Sequence, residues 1–311
     1  MKSLYCIALF VASFAWASLS AQSSLDSIRT SLAQSQSSLD SLDRLQELCR
    51  LFYTGSTKNH DSLRIYSLMG YTMADDMNQD SIYIDLIGLH AISFFRKDTA
   101  RYFQYMELAE QRAVAQMWPA LASRYSYYQA SRAINFNQTR RALRLLRRSI
   151  DYLDQAELSD TLTQKDLIMK SRMLSRTSTA LLYLFDYEAA LEASVLLREQ
   201  ARVTGEDFSI IEAQISFVDI YSSALQDSVI SIDGDRRAYY ESELRHSLDT
   251  LLSLTADSDN PKYITRHSYA LSKYGDHYVS TGREDLALQS YRQARDIAAK
   301  HSSEYSHFQA L

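Results

Sequence analysis

From residue 59 onward, apolar residues recur three and four apart in long blocks separated by short polar breaks, the period of helices that bury one face. The first block, DSLRIYSLMGYTMADDMNQD, opens at Asp61, an N-cap residue type. SIYIDLIGLHAISFFRKD and TARYFQYMELAEQRAVAQ follow, divided at Lys97–Asp98. ALASRYSYYQASRAINF then pairs with QTRRALRLLRRSIDYLDQ, and TQKDLIMKSRMLSRTSTALLYLF with DYEAALEASVLLREQARV. FSIIEAQISFVDIYSSALQ pairs with RRAYYESELRHSLDTLLSL across a loop from Asp227 to Asp235, in which Asp233-Gly234-Asp235 reads as a turn. Pro119 and Pro261 each stand where they open a helix as its first residue. The final HSSEYSHFQAL reads as the first helix of a further repeat. With 7 Gly and 2 Pro in 311 residues there are few breakers, and the expectation is an all-α chain.

The start of the chain follows another pattern. MKSLYCIALFVASFAWASLSAQ has Lys2 before a mostly apolar run from Leu4 to Trp16, then small residues that allow cleavage between Ala17 and Ala21. Residues 1–21 are therefore expected to be a secretory signal peptide, the run being short for a membrane span. Residues 22–58 form a Ser-rich segment in which SSLDS occurs at Ser23 and Ser37, and Leu25, Ile28, Leu32, Leu39 and Leu42 follow a heptad-like spacing. That spacing predicts a short helix packing on the first repeat. Cleavage leaves Cys49 as the one cysteine, placed after Leu45 and Leu48 as a buried small apolar residue, so stability must come from packing. No later stretch is apolar enough to span a membrane.

Residues 59–311 carry a repeat. A small residue opens the second helix of each pair at Ala142, Ala190, Ala238 and Ala287, separated by 48, 48 and 49 residues. The clearest unit lies in 268–301, where LSKYGDHYVSTGREDLALQSYRQA places Leu271, Tyr274, Gly275, Tyr278, Ala287, Tyr291 and Ala294 in helix–turn–helix register. This resembles the tetratricopeptide (TPR) repeat, in which small residues let two helices approach and large ones fill the space between them. From Asp61 to Leu311 the arrangement is similar to the periplasmic TPR input regions of bacterial sensor kinases and helix-turn-helix regulators. The resemblance implies a right-handed α-solenoid whose first helices line a concave groove. By register that groove takes Tyr269, Ser272, Asp276 and Val279 from the clear repeat, and Arg124, Tyr127 and Ser131 from the one at Ala142.

Charge and chemistry refine this picture. A net charge of −5 gives no basic field for nucleic acid. The seven histidines include no HExxH and no pair three or four apart, and there is no phosphate loop, nucleophile elbow or calcium loop. No metal, cofactor or catalytic activity is expected. Arg140, Arg141, Arg144, Arg147 and Arg148 fall within about 120° of one helix face. They are read as a strip for an anionic partner, or as a solvated outer face paired with neighbouring carboxylates. The 22 tyrosines suit both a repeat core and a contact surface. The expected function is an exported scaffold, periplasmic or secreted, that binds a protein or peptide in its concave groove. The alternative is the sensory input region of a membrane-bound regulator.

Overall fold

The computed structural model describes residues 38–54, 59–227, 233–256 and 258–305, together with Ser27 and Thr30. The expected signal peptide and the first part of the Ser-rich segment lie outside these residues. Among the described residues there are twelve α-helices: α1 Ser38–Thr54, α2 His60–Asp76, α3 Asp80–Ser93, α4 Thr99–Ala115, α5 Pro119–Asn135, α6 Thr139–Leu158, α7 Gln164–Leu182, α8 Tyr187–Thr204, α9 Asp207–Gln226, α10 Gly234–Thr255, α11 Pro261–Ser280 and α12 Glu284–Tyr305. None is long and apolar enough to cross a membrane.

The helix starts follow local chemistry. Pro119 and Pro261 open α5 and α11, and the Asn260 side chain accepts from the Lys262 N–H. Asp98 caps α4 through the Arg101 N–H, and Asp186 caps α8 through that of Ala189. Three starts differ from expectation. Asn59, not Asp61, caps α2, because its side chain reaches the Ser62 N–H. Asp233-Gly234-Asp235 is a helix start, with Asp233 accepting from the Arg236 N–H. His301–Tyr305 continues α12, since no cap, Gly or Pro interrupts it.

The chain divides into two compact units, Met1–Arg132 with Arg147–Thr161, and Ala133–Leu146 with Leu162–Leu311. In both, consecutive helices pack as antiparallel-type pairs joined by tight turns, and alternate helices also meet: α1 with α3, α7 with α9, α9 with α11. Odd-numbered helices are thus the first members of the pairs.

Most turns place one residue in the left-handed region. These are Asn78, Met117, Asn137, Asp160, Phe185, Gly205 and Gly282. At Gly282 the next amide, that of Arg283, donates back to the Tyr278 carbonyl at 2.8 Å, and at Phe185 the Asp186 amide donates to Leu181 at 3.1 Å. This helix-ending bond fixes how far each second helix is rotated. Counting from the left-handed residue, the partners at the crossing fall in register. Seven before and nine after Gly282 stand Gly275 and Tyr291; the same offsets from Phe185 give Ser178 and Ser194. A Cβ on Gly275 would lie 2.4 Å from the Tyr291 ring, so only glycine admits the tyrosine. The two serines instead share a hydrogen bond of 2.8 Å. One register step away, Ser268 donates to the Ala294 carbonyl at 2.9 Å, and Ser123 to that of Ser149 at 2.7 Å.

The second-helix alanines Ala142, Ala190 and Ala287 are buried, as their spacing suggests. Ala238 is exposed. The α10 cap lies at Asp233, so Ala238 falls one residue past the position that Ala190 holds after Asp186, and the helix rotates it into solvent.

In the first unit, Leu42, Leu48, Cys49, Phe52, Leu63, Leu86 and Leu89 form an apolar cluster. Burial pushes the Cys49 thiol up to about 12, so it stays protonated and inert. Next to this cluster, His90 is buried against the edges of Tyr71, Phe94 and Tyr105. Its Nδ1 lies 3.2 Å from the Arg64 carbonyl, which can only accept, so Nδ1 carries the proton; Ser67 Oγ is at 3.0 Å. Burial, with Arg64 and Arg101 nearby, lowers the imidazole to about 4. Unfolded His90 takes its proton near 6.5 and the folded residue only near 4. The stability that its neutral form contributes is therefore complete above pH 6.5 and lost as pH falls toward 4. Between pH 7 and 4.5, urea unfolding should show wild type losing about 2 kcal/mol more than His90→Asn. Parallel pH profiles would contradict this origin.

Candidate functional site: the first-helix faces

Within the second unit, α9 and α11 each turn one flank toward the pair partner and another toward a neighbouring odd helix, leaving a strip between them. On α11 the strip is bounded by Tyr269, whose hydroxyl donates to Asp219 of α9, and by Asp276, which accepts from Tyr291 of α12 at 2.7 Å. Ser272 donates to the Ser268 carbonyl, and Val279 is 57% exposed. The four residues inferred by repeat register therefore share one side of α11, with Val279 the most open. In the other unit, Arg124, Tyr127 and Ser131 are half-buried on α5; Tyr127 leans on Tyr128, and the Ser131 hydroxyl oxygen is buried without a hydrogen-bond partner.

The structure adds partners to Tyr269. Glu212 and Asp219 lie two helical turns apart on α9, and Arg266 and Lys273 have the same spacing on α11. Arg266 binds Glu212 at 2.7 Å, and Lys273 Nζ lies 3.9 Å from Asp219. Burial raises the Asp219 carboxyl, while Tyr269, Lys273 and Arg266 oppose the shift. Burial and Asp219 push the Tyr269 phenol far above its ordinary value. A phenol so disfavoured as phenolate is a hydrogen-bonding strut, not a nucleophile or base. Opposite charges at seven-residue spacing on successive first helices are the legible signal of this ladder, which repeat register alone does not pick out.

The five arginines of the strip differ in their surroundings. Arg140, Arg144 and Arg147 are exposed, and Arg141 approaches Gln138 at 3.3 Å. Arg148, its side chain 43% exposed, reaches across to Glu110 at 2.8 Å and Ser126 at 3.3 Å. Glu110 is almost fully buried and also accepts from Gln129 at 2.6 Å. Burial raises its carboxyl, opposed first by Arg148. Of the tyrosine cluster, Tyr125 is a core residue that donates to the Ile84 carbonyl at 2.8 Å, Tyr240 is buried, and Tyr239 is exposed. Among the described residues no group of three or more His, Cys, Asp or Glu side chains could hold a metal.

No family model matches the chain, and no curated protein matches it. Solved structures do. BtubC from P. vanneervenii superposes with a TM-score of 0.57 at 13% identity, over 88% of this chain and 92% of its own. A Rap protein complexed with Competence and Sporulation Factor gives 0.52 at 11%, over 90% and 70%. The apo form of RapI gives 0.53 at 11%, over 91% and 93%. The fold is that of a TPR-like helical-repeat protein. At these identities the likeness carries the architecture, and the residues must argue for the rest.

Removing the Arg148 side chain strands the Glu110 carboxylate. Arg148→Ala should cost about 1–3 kcal/mol in denaturant unfolding, while Arg140→Ala, Arg144→Ala and Arg147→Ala each stay within about 0.5 kcal/mol. Equal effects at all four would place Arg148 in solvent with the others.

Proposed function

We propose that this chain is an exported, non-catalytic scaffold that holds a protein or peptide segment along the first-helix face of its repeats. The observation that carries the reading is the ladder on α9 and α11, where Glu212, Asp219, Arg266, Tyr269 and Lys273 line successive first helices beside the open Val279. Repeat proteins bind along such faces because stacking equivalent helices sets equivalent side chains in a row. Mixed charges and a phenol suit a polypeptide backbone with polar side chains. The solved Rap complex supports the reading, since a Rap protein of this fold carries a bound factor. Export rests on the signal-like sequence of residues 1–21, which suits a periplasmic or secreted place.

A photocrosslinking residue at Val279 should capture a discrete partner in the source cells, while one at Val203 on second helix α8, 74% exposed, should not. Lys273→Glu should reduce the Val279 capture about tenfold, a change of 1.4 kcal/mol in binding. This chain, recovered from the same cells, should begin between Ala17 and Ala21 and fractionate with soluble exported proteins. Equal capture at both sites would remove the groove, and an unprocessed N-terminus would remove export. A larger, membrane-retained species would instead make this chain the sensory part of a receptor.

A further inference from the structure

Five of the left-handed turn residues are Asn, Asp or Gly, types that accept this conformation. Met117 and Phe185 are not, with φ of 55° and 59°. A bulky residue there costs on the order of 1 kcal/mol relative to glycine. Both side chains are exposed, Phe185 by 70%. Phe185 stands at a cavity of about 230 Å³ in the second unit, formed with Tyr187, Tyr240, Ala224, Asp186 and Glu188. Its ring meets Tyr187 edge-on at 6.5 Å, and the Tyr187 hydroxyl donates to Asp227 at 2.9 Å, which fixes that wall.

The cavity already shows which chemistry it favours. Arg236, also in the lining, sits 5.4 Å from the Tyr240 ring centroid, donates to the Tyr240 hydroxyl at 3.1 Å and binds Glu188 at 2.6 Å. A guanidinium is thus held by an aromatic face and a carboxylate. In the lining, Asp186 and Glu188 outnumber Arg236, so the cavity wall is net negative. Phe185 and Tyr187 offer further rings, and Asp186 uses Oδ1 for the Ala189 amide of the α8 cap.

We propose that this cavity docks an arginine side chain of a partner peptide, with its stem against Phe185 and Tyr187 and its guanidinium toward the Asp186 and Glu188 carboxylates that line it. The inference rests on the scaffold reading and adds a second contact point, at the α7–α8 turn instead of the α9–α11 ladder. The exposed left-handed Phe185 is then a contact residue whose conformational cost the fold tolerates.

The test is titration of the full chain with two capped peptides, Gly-Gly-Arg-Gly-Gly and Gly-Gly-Glu-Gly-Gly, followed by NMR. The Arg peptide should shift Tyr187 and Tyr240 resonances saturably, and the Glu peptide should not. Phe185→Gly, and the double variant Asp186→Asn with Glu188→Gln, should each weaken binding at least about fivefold, the carboxamide at 186 preserving the helix cap. Phe185→Gly should unfold at the same or a higher temperature, separating lost binding from lost structure. Equal shifts with the Glu peptide, or unchanged affinity in both variants, overturns the cavity assignment. If the Arg peptide fails while Val279 still captures a partner, the cavity falls and the scaffold stands. If Val279 captures nothing, the groove reading falls whatever the peptide does.

Discussion

Everything in this molecule depends on how closely the two helices of a pair can cross. That distance is set by the smallest side chains at the crossing, because interiors tolerate neither overlap nor voids. The α11–α12 pair meets the condition with the most unequal partners, glycine against tyrosine. The α7–α8 pair meets it at the same offsets with two hydrogen-bonded serines. The left-handed turn makes these solutions equivalent: its helix-ending bond sets the rotation of the second helix, and the rotation decides which residues meet. A pair so fixed presents constant flanks, and stacking pairs then places alternate helices in contact.

The first-helix face inherits this order. Because α9 and α11 meet along one flank, charges two turns apart on each become a ladder across both. The Tyr269–Asp219 bond shows that the ladder is partly buried, and so is built into the wall of the face. Second helices have a different task. Arg148 on α6 holds the buried carboxylate of Glu110, and its charge serves the core of the first unit.

Features governed by local chemistry were legible in the sequence. Pro119 and Pro261 open helices because a proline lacks the amide that the first turn leaves unbonded anyway. Gly275 and Tyr291 carried the repeat, since their sizes only make sense as neighbours. Features that depend on one residue of register were not. Ala238 matched the spacing of its counterparts yet is exposed, because the α10 cap lies one position off theirs. Asn59 outcompetes Asp61 as a cap for similar reasons. On a helical wheel Arg148 sits with the exposed arginines, and only the place of Glu110 on another helix gives it a buried carboxylate to bind. The α9–α11 ladder joins residues about fifty positions apart, beyond the reach of any single-helix projection.

The most direct measurement is a double-mutant cycle at the α11–α12 crossing, with Gly275→Ser, Tyr291→Ser and both together followed by denaturant unfolding. If complementary size governs the crossing, each single change destabilises, and the double variant recovers at least about 1 kcal/mol of their sum, having acquired the serine pair that α7 and α8 use. Additive losses would show that the helices meet for some other reason, and the account of the repeat would have to be rebuilt.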